Sequence, residues 1–295
     1  MSEQRGPPRR ERPPREVSVY EVERKAVVLD VIEGGYYLDP HKGHRSRTTV
    51  QAIGFSRFTL LDGVPVGRVE PLEQVSVASE TLMPVEEPLD PTGRRTRRID
   101  VSLACIPLDG KTLCAPIAKV EQRILDLLKL TLEEGVEVAN DVSQLVEALR
   151  SRGLPDKLIA CPRTGIRYEH LTEIAKRNVR DAIKIIIKED EGTFVKFFNI
   201  AGPINIRMHT FELLRGIGKK TLKTLLDARA RKPFESFEEI KKIIKEDPVE
   251  VLADKIVEEL SGQAKYYLFV EPPNPSMPYL KYLDVLRSGK AGAQA

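Results

Sequence analysis

The sequence predicts an α+β fold: a small β-barrel followed by an all-helical domain, with an α/β module inserted between them. Three observations carry this. Short apolar stretches with strand-like spacing and turn punctuation fill residues 17–80. Amphipathic stripes at helical spacing dominate 164–262. Between them, a proline-studded opening leads into a hairpin pattern and two further helices over 83–163. At 295 residues the chain is long enough for several domains, and 41% hydrophobic content places it among folded proteins rather than disordered ones.

In the first region, 25–32 reads as a buried strand stopped by Gly34 and Gly35. Strands over 48–53, 55–61 and 74–78 follow, separated by Gly54, the Asp62-Gly63 turn signal, Pro65 and Gly67. A fifth strand-like run, 265–270, lies far downstream. Its return would close a five-stranded barrel of the oligonucleotide-binding type (OB-like). The inserted module pairs strands 99–106 and 112–117 around Asp109-Gly110. Helices then carry stripes of Val120, Ile124, Leu127 and Leu128, and of Val142, Leu145, Val146 and Leu149. Arg94, Arg95, Arg97 and Arg98 make either another contact surface or a solvated linker. Farther on, Ile174, Val179, Ile183, Ile186 and Ile187 share one helix face, and Phe194, Phe197 and Phe198 supply aromatic core. Ser236 with Glu239 spells a capping box. The stretch 271–295 reads as a proline-rich tail with a short docking helix over 279–286.

Residues 1–16 alternate arginines with prolines and read as a disordered basic arm, with none of the apolar core of a secretory leader. No apolar run approaches the roughly 20 residues that span a bilayer, so no membrane partner is expected. The odd count of three cysteines argues against a disulfide framework and for a reducing cytoplasm; Cys105 and Cys114 read as small buried hydrophobes on facing strands.

The densest information lies between His209 and Arg229. It reads as two short helices joined by a tight hairpin, Arg215, Gly216, Ile217 and Gly218, in which the glycines tolerate positive φ and close approach. Ile217 should plug the hairpin into the helices beneath. The second helix then starts with uncapped N–H groups and its positive dipole end outward, suited to a phosphate oxygen. From Arg215 to Lys232 there are seven basic residues and one acidic, on a chain whose net charge is only +3. This segment resembles the helix-hairpin-helix motif, through Leu213, Leu214, Gly216, Ile217, Gly218, Lys219, Lys220 and Leu222, with Leu225 and Leu226 at helical spacing. That resemblance implies binding to the sugar-phosphate backbone without sequence readout; Gly216, Gly218, Lys219, Lys220 and Lys223 are the expected phosphate contacts, and the plain alternative is an αα-turn with a solvated basic face. The turn at 245–248 lacks glycines, is acidic, and reads as a structural partner of the first.

A second basic segment joins the first two strands: Lys42, Arg45 and Arg47, near Tyr36, Tyr37, Phe55 and Phe58, which could act as stacking platforms or as core. His41 and His44 beside Asp39 have metal-ligand spacing, but no cysteine or third ligand is evident, so no metal and no cofactor is expected.

The arrangement as a whole resembles an archaeal domain-of-unknown-function family, number 655. The resemblance is carried by Gln51 to Gly54 with Phe58 to Leu61, by Met208 and His209 before the hairpin, by Lys232 to Ile240, and by Tyr266 to Val270. It implies an OB-like β region ahead of a helix-hairpin-helix and a nucleic-acid- or nucleotide-binding role. No Walker loop, His-Glu-x-x-His or nucleophile elbow is present. The expectation is therefore a non-catalytic, sequence-tolerant binder of duplex DNA, a junction or structured RNA, favouring substrates that offer duplex and unpaired strand together. A docking factor on ribosomal or RNA-processing machinery and a metal-dependent nuclease are the alternatives.

Overall fold

Strand β1 (Lys25–Ile32) is apolar on both faces, and that sets the architecture. Ala26 and Val28 pack with Val50, Ala52, Leu61, Val75, Val77 and Ile159. Val27 and Leu29 face the other way and join Ile53 in the cluster that holds the helices. The structure, a computed structural model, describes residues 19–287. A short α1 (Val19–Val22) precedes β1; β2 (Thr49–Gly54), β3 (Leu60–Val66), β4 (Gln74–Pro88), β5 (Thr96–Leu108) and β6 (Lys111–Pro116) follow. Then come α2 (Gln122–Leu130), β7 (Val136–Val138), α3 (Ser143–Arg150) and β8 (Leu158–Cys161). The helical part comprises α4 (Glu173–Glu189), α5 (Glu191–Ile200), the small hairpin β9 (Pro203–Asn205) and β10 (Met208–His209), α6 (Lys219–Arg231), α7 (Phe237–Ile244), α8 (Pro248–Leu260) and α9 (Tyr282–Arg287).

The α+β class holds, as one large mixed sheet packed against helices. The sheet order is β1-β2-β3-β8-β4-β5-β6-β7, and β1 also pairs with β4 through Lys25↔Ser76, Ala26↔Val75 and Val27↔Gln74. It is not a barrel closed by 265–270. Those residues form no strand of the sheet, because their donors are taken elsewhere: Leu268, Phe269 and Val270 donate their backbone N–H groups to the buried Glu259 carboxylate at 2.8, 2.9 and 2.9 Å. The place between β3 and β4 goes to β8, antiparallel to the first and parallel to the second, from the stretch expected to be an insertion. The division at residue 164 likewise falls inside a continuous core, since β1, β2 and α4 to α9 share one apolar cluster.

Other differences have the same kind of cause. The strand expected over 55–61 begins only at Leu60, because buried Glu23 accepts the N–H groups of Ser56 and Arg57 at 2.6 and 2.8 Å and curls the chain there. Gly54 allows this: a Cβ on it would fall 2.1 Å from the Glu23 side chain. Asp62 and Gly63, read as a turn, lie within β3. Pro84, read as a module boundary, lies inside the long β4. Cys105 and Cys114 stand directly opposite in the β5–β6 pair and are joined by a disulfide; the hairpin register brings them face to face, which the odd count argued against. The Ser236 capping box does not form: Phe237 donates to Glu191 Oε1 at 2.7 Å and Glu239 accepts from Glu235 N–H at 2.8 Å. The arginine–proline arm, 1–16, lies outside the described residues.

Helix α4 is tied to the sheet at its start. Thr172 caps it by accepting from the Ala175 N–H and donates its hydroxyl to Asp30 Oδ2 at 2.6 Å, where β1 bulges. Buried Gln51 bridges the same junction, donating to His170 O and accepting from Thr172 N–H. Phe194, Phe197 and Phe198 of α5 stack with Phe211, Phe269 and Tyr282. As expected of the docking helix, α9 buries Tyr282, Leu283 and Leu286. No described helix is long and apolar enough to cross a membrane.

Burial pushes the Glu259 carboxyl up to about 7, against the three backbone donors and nearby Lys255. Its folded value exceeds the ordinary 4.5, so its contribution to stability is full below about pH 4.5 and is lost as pH rises through 7. Wild type should therefore lose stability relative to Glu259→Gln between pH 5 and 8, by on the order of 3 kcal/mol in urea titrations. Identical pH dependence in the two proteins would contradict this.

Candidate nucleic-acid interface

The segment ahead of α6 is built by local hydrogen bonds. His209 Nδ1 accepts from the Phe211 N–H at 3.1 Å and Glu212 accepts from the His209 N–H at 2.8 Å, which winds Thr210–Leu213 into a single 3-10 turn. The first of the two expected helices is thus only that turn, because β9 and β10 occupy the residues before it. Leu214 and Ile217 are buried, so Ile217 plugs the hairpin as anticipated. Gly216 adopts the left-handed region at φ +78°. Gly218 does not use that freedom. It is extended, with φ −86° and ψ 177°, and stands at the N-cap of α6 with no side chain to cover the first-turn N–H groups.

The two glycines have different reasons. A Cβ on Gly216 would lie 2.5 Å from Glu246 Oε1, so the acidic second turn packs on the first, as expected of a structural partner. Among the described residues a Cβ on Gly218 would meet no atom within 4 Å. Gly216 serves the fold, and Gly218 keeps a helix end open.

Arg215, Lys219, Lys220 and Lys223 are all exposed around this end. Arg215 lies 3.3 Å from Asp254, and Lys219 lies 2.8 Å from Glu212, whose carboxyl it holds below the usual range. Arg229 turns inward and donates to the carbonyls of Phe198 and Ala201, so it supports the aromatic core. Lys232 pairs with Glu235 at 3.0 Å. Among the described residues Lys220, Lys223 and Arg231 have no ion-pair partner, so the free positive charge is smaller than the sequence count implied.

The loop after β1 is more committed than its sequence suggested. Lys42 is exposed, but Arg45 donates from Nε to Asp39 O at 2.7 Å and Arg47 is paired with Glu80. Of the aromatics, Tyr37 is 75% exposed while Phe58 is wholly buried in the helical core. Tyr37 and Lys42 remain outward.

Beneath this loop the chain gathers a buried cluster that spacing alone did not reveal. His41 Nδ1 lies 2.8 Å and His44 Nδ1 2.5 Å from Asp62 Oδ2. Asp39, His44 and Asp62 are buried, and donor atoms of all four residues lie within 4.8 Å of one another. Burial and the Asp62 charge push the Asp39 carboxyl up. Burial also opposes ionisation of Asp62, but hydrogen bonds to His41 and His44 outweigh it and hold that carboxyl low. For His44, burial works against the imidazolium, yet Asp62 and Glu80 raise it to about 9. The third candidate ligand that the sequence did not single out is Asp62, which its neighbour Gly63 made look like a turn residue. A carboxylate set between apolar Leu61 and Val64 was the available signal.

A family model described as Protein of unknown function (DUF655) matches residues 22–271. The chain belongs to that family. It is 41% identical over 111 residues to the uncharacterised protein MJ0038 of Methanocaldococcus jannaschii, a match covering 37% of this chain and 51% of that protein. The chain thus spans about half the length of the curated relative it matches. The crystal structure of Af1531 from Archaeoglobus fulgidus, assigned to the same family, is similar over 84% of this chain and 100% of that one, at 25% identity and a TM-score of 0.50.

The two glycines of the hairpin should separate in stability measurements. Gly216→Ala forces a side chain into the left-handed region against Glu246 and should cost about 1–2 kcal/mol. Gly218→Ala should cost less, below about 1 kcal/mol, because its backbone is extended and its surroundings are open, so that only alanine's poor fit at an N-cap counts against it. Thermal unfolding of both variants checks this; equal losses would refute the assignment.

Proposed function

We propose that this member of the DUF655 family binds nucleic-acid backbones, in duplex DNA or structured RNA, without reading sequence, and that the segment from His209 to Arg231 acts as a helix-hairpin-helix. The observation that carries this reading is Gly218. It opens a helix N-terminus to solvent with no capping side chain, and Arg215, Lys219, Lys220 and Lys223 surround it. A phosphate oxygen there would accept first-turn N–H groups, meet the positive end of the helix dipole and be flanked by ammonium groups. Such contacts carry no base information.

The sheet takes the lesser share. The pairing circuit β1-β2-β3-β8-β4, which returns to β1, supports an OB-like reading of this part of the sheet, with Tyr37 as an outward stacking group and Lys42 as a phosphate contact. With Arg45 and Arg47 held by Asp39 and Glu80, and Phe58 in the core, the loop's contribution is smaller than the sequence led one to expect. The reading assigns binding and no catalytic step.

Gly218→Asp separates this proposal from a purely structural hairpin. Aspartate is a good N-cap residue in the conformation Gly218 already has, so the variant should melt at or slightly above the wild-type temperature. Its carboxylate would occupy the phosphate position, and affinity for a labelled duplex should fall about tenfold or more. With roughly three phosphates neutralised, the wild-type log–log salt slope should be near −3, and Lys220→Ala should flatten it by about one unit. Unchanged affinity in Gly218→Asp would refute the proposal.

A further inference from the structure

We propose that Asp39, His41, His44 and Asp62 form a binding site for one divalent transition-metal ion, zinc by the chemistry of its ligands. Both imidazoles direct Nδ1 at one carboxylate oxygen, Asp62 Oδ2, from 2.8 and 2.5 Å. Their other nitrogens are held from behind: His44 Nε2 lies 2.8 Å from Glu80 Oε2 and His41 Nε2 lies 3.0 Å from Thr164 Oγ1. That is the arrangement found around metal-bound histidines, whose remote N–H is oriented by a carboxylate or another acceptor. Glu80 is itself fixed by Arg47.

Asp39 supplies the second, independent sign of a ligand. Its side chain is fully buried, and Oδ1 accepts the His41 backbone N–H at 2.8 Å. Among the described residues Oδ2 meets no donor within hydrogen-bond distance: it lies 3.9 Å from His44 Nδ1, and its carboxyl, pushed up by burial, faces that of Asp62, a like charge that raises it further. A buried carboxylate oxygen with no donor is costly unless a cation meets it. Donor atoms around a tetrahedral zinc stand roughly 3.3 Å apart, given bonds near 2.0–2.1 Å. Those of the cluster lie within 4.8 Å of one another, so side-chain adjustments of roughly 1 Å bring them to that geometry. Two imidazoles with two carboxylates favour zinc or a neighbouring transition metal over calcium and magnesium, which prefer all-oxygen shells. The three buried ligands and the half-buried His41 describe a structural site. It would clip the loop bearing Lys42 to β3.

The test uses the full chain, stripped with a chelator and titrated with cobalt(II) at neutral pH. Visible absorption bands of a tetrahedral cobalt site should saturate at one ion per chain and vanish when zinc is added, and zinc should raise the melting temperature. Asp39→Asn keeps the acceptor for the His41 N–H and removes charge from an oxygen that meets no donor within hydrogen-bond distance among the described residues. It should weaken zinc binding about tenfold or more while the metal-free variant melts no lower than metal-free wild type. If that variant fails to fold, half-buried His41→Gln takes its place, with the same expected loss of affinity. Absence of stoichiometric cobalt and zinc uptake would overturn the proposal, as would wild-type affinity in the folded variant.

Discussion

Three consecutive backbone N–H groups, those of Leu268, Phe269 and Val270, end on the buried carboxylate of Glu259, and much of the molecule hangs on that junction. Without it, an apolar run with unsatisfied donors would need a sheet edge. With it, the run leaves the sheet and enters the helical core, where Phe269 meets Phe194 and Phe197. The chain then turns so that Tyr282 packs on the same aromatic group. The Tyr282 hydroxyl accepts from the Gly202 N–H at 3.3 Å and lies 3.1 Å from Thr210 Oγ1. Those two residues flank the β9–β10 hairpin and lead into the turn that carries Gly216 and Gly218. The hairpin is therefore mounted on the core, a rigid support for the phosphate contacts proposed for it. Glu23 performs a similar service for Ser56 and Arg57.

Positive charge is divided between inward and outward work. Arg229, Arg45 and Arg47 lie in segments that the sequence marks as basic surface, yet they satisfy carbonyls or a carboxylate of the protein itself. Arg215 and Lys219 are themselves exposed but paired with half-buried Asp254 and Glu212, which a phosphate would have to displace. Among the described residues Lys220 and Lys223 have no ion-pair partner, beside an uncapped helix end. The interface inferred here rests less on the number of charges than on the geometry of that end.

What was legible in the sequence was local. Strand spacing located β1 and β2, the Asp109-Gly110 turn located the β5–β6 hairpin, and apolar stripes located α2, α3 and α4. Ile217 as a plug and the acidic turn at 245–248 as a partner were legible too, since each follows from residue type beside a tight turn. The failures were long-range. The segment 265–270 has the composition of a strand, but a carboxylate on α8 captured its donors. The short β8 became a sheet member only because β3 and β4 left a place for it. Asp62 carried a turn signal, yet its role depends on two histidines about 20 residues upstream in the chain. The disulfide depended on the register of a hairpin, which a cysteine count does not contain. Gly216 and Gly218 looked alike in sequence; the left-handed backbone of Gly216 and the Glu246 side chain packed on it tell them apart.

The phosphate-binding hairpin is the claim on which the functional account stands, and amide chemical-shift mapping addresses it at the atoms concerned. Isotopically labelled protein would be titrated with a short duplex of arbitrary sequence at low salt. The account predicts that the largest shifts fall on the backbone N–H groups of Gly218, Lys219, Lys220 and Thr221, with smaller ones near Lys42, and that a duplex of different sequence reproduces the pattern. Unmoved hairpin amides in a titration that shifts another surface would contradict it.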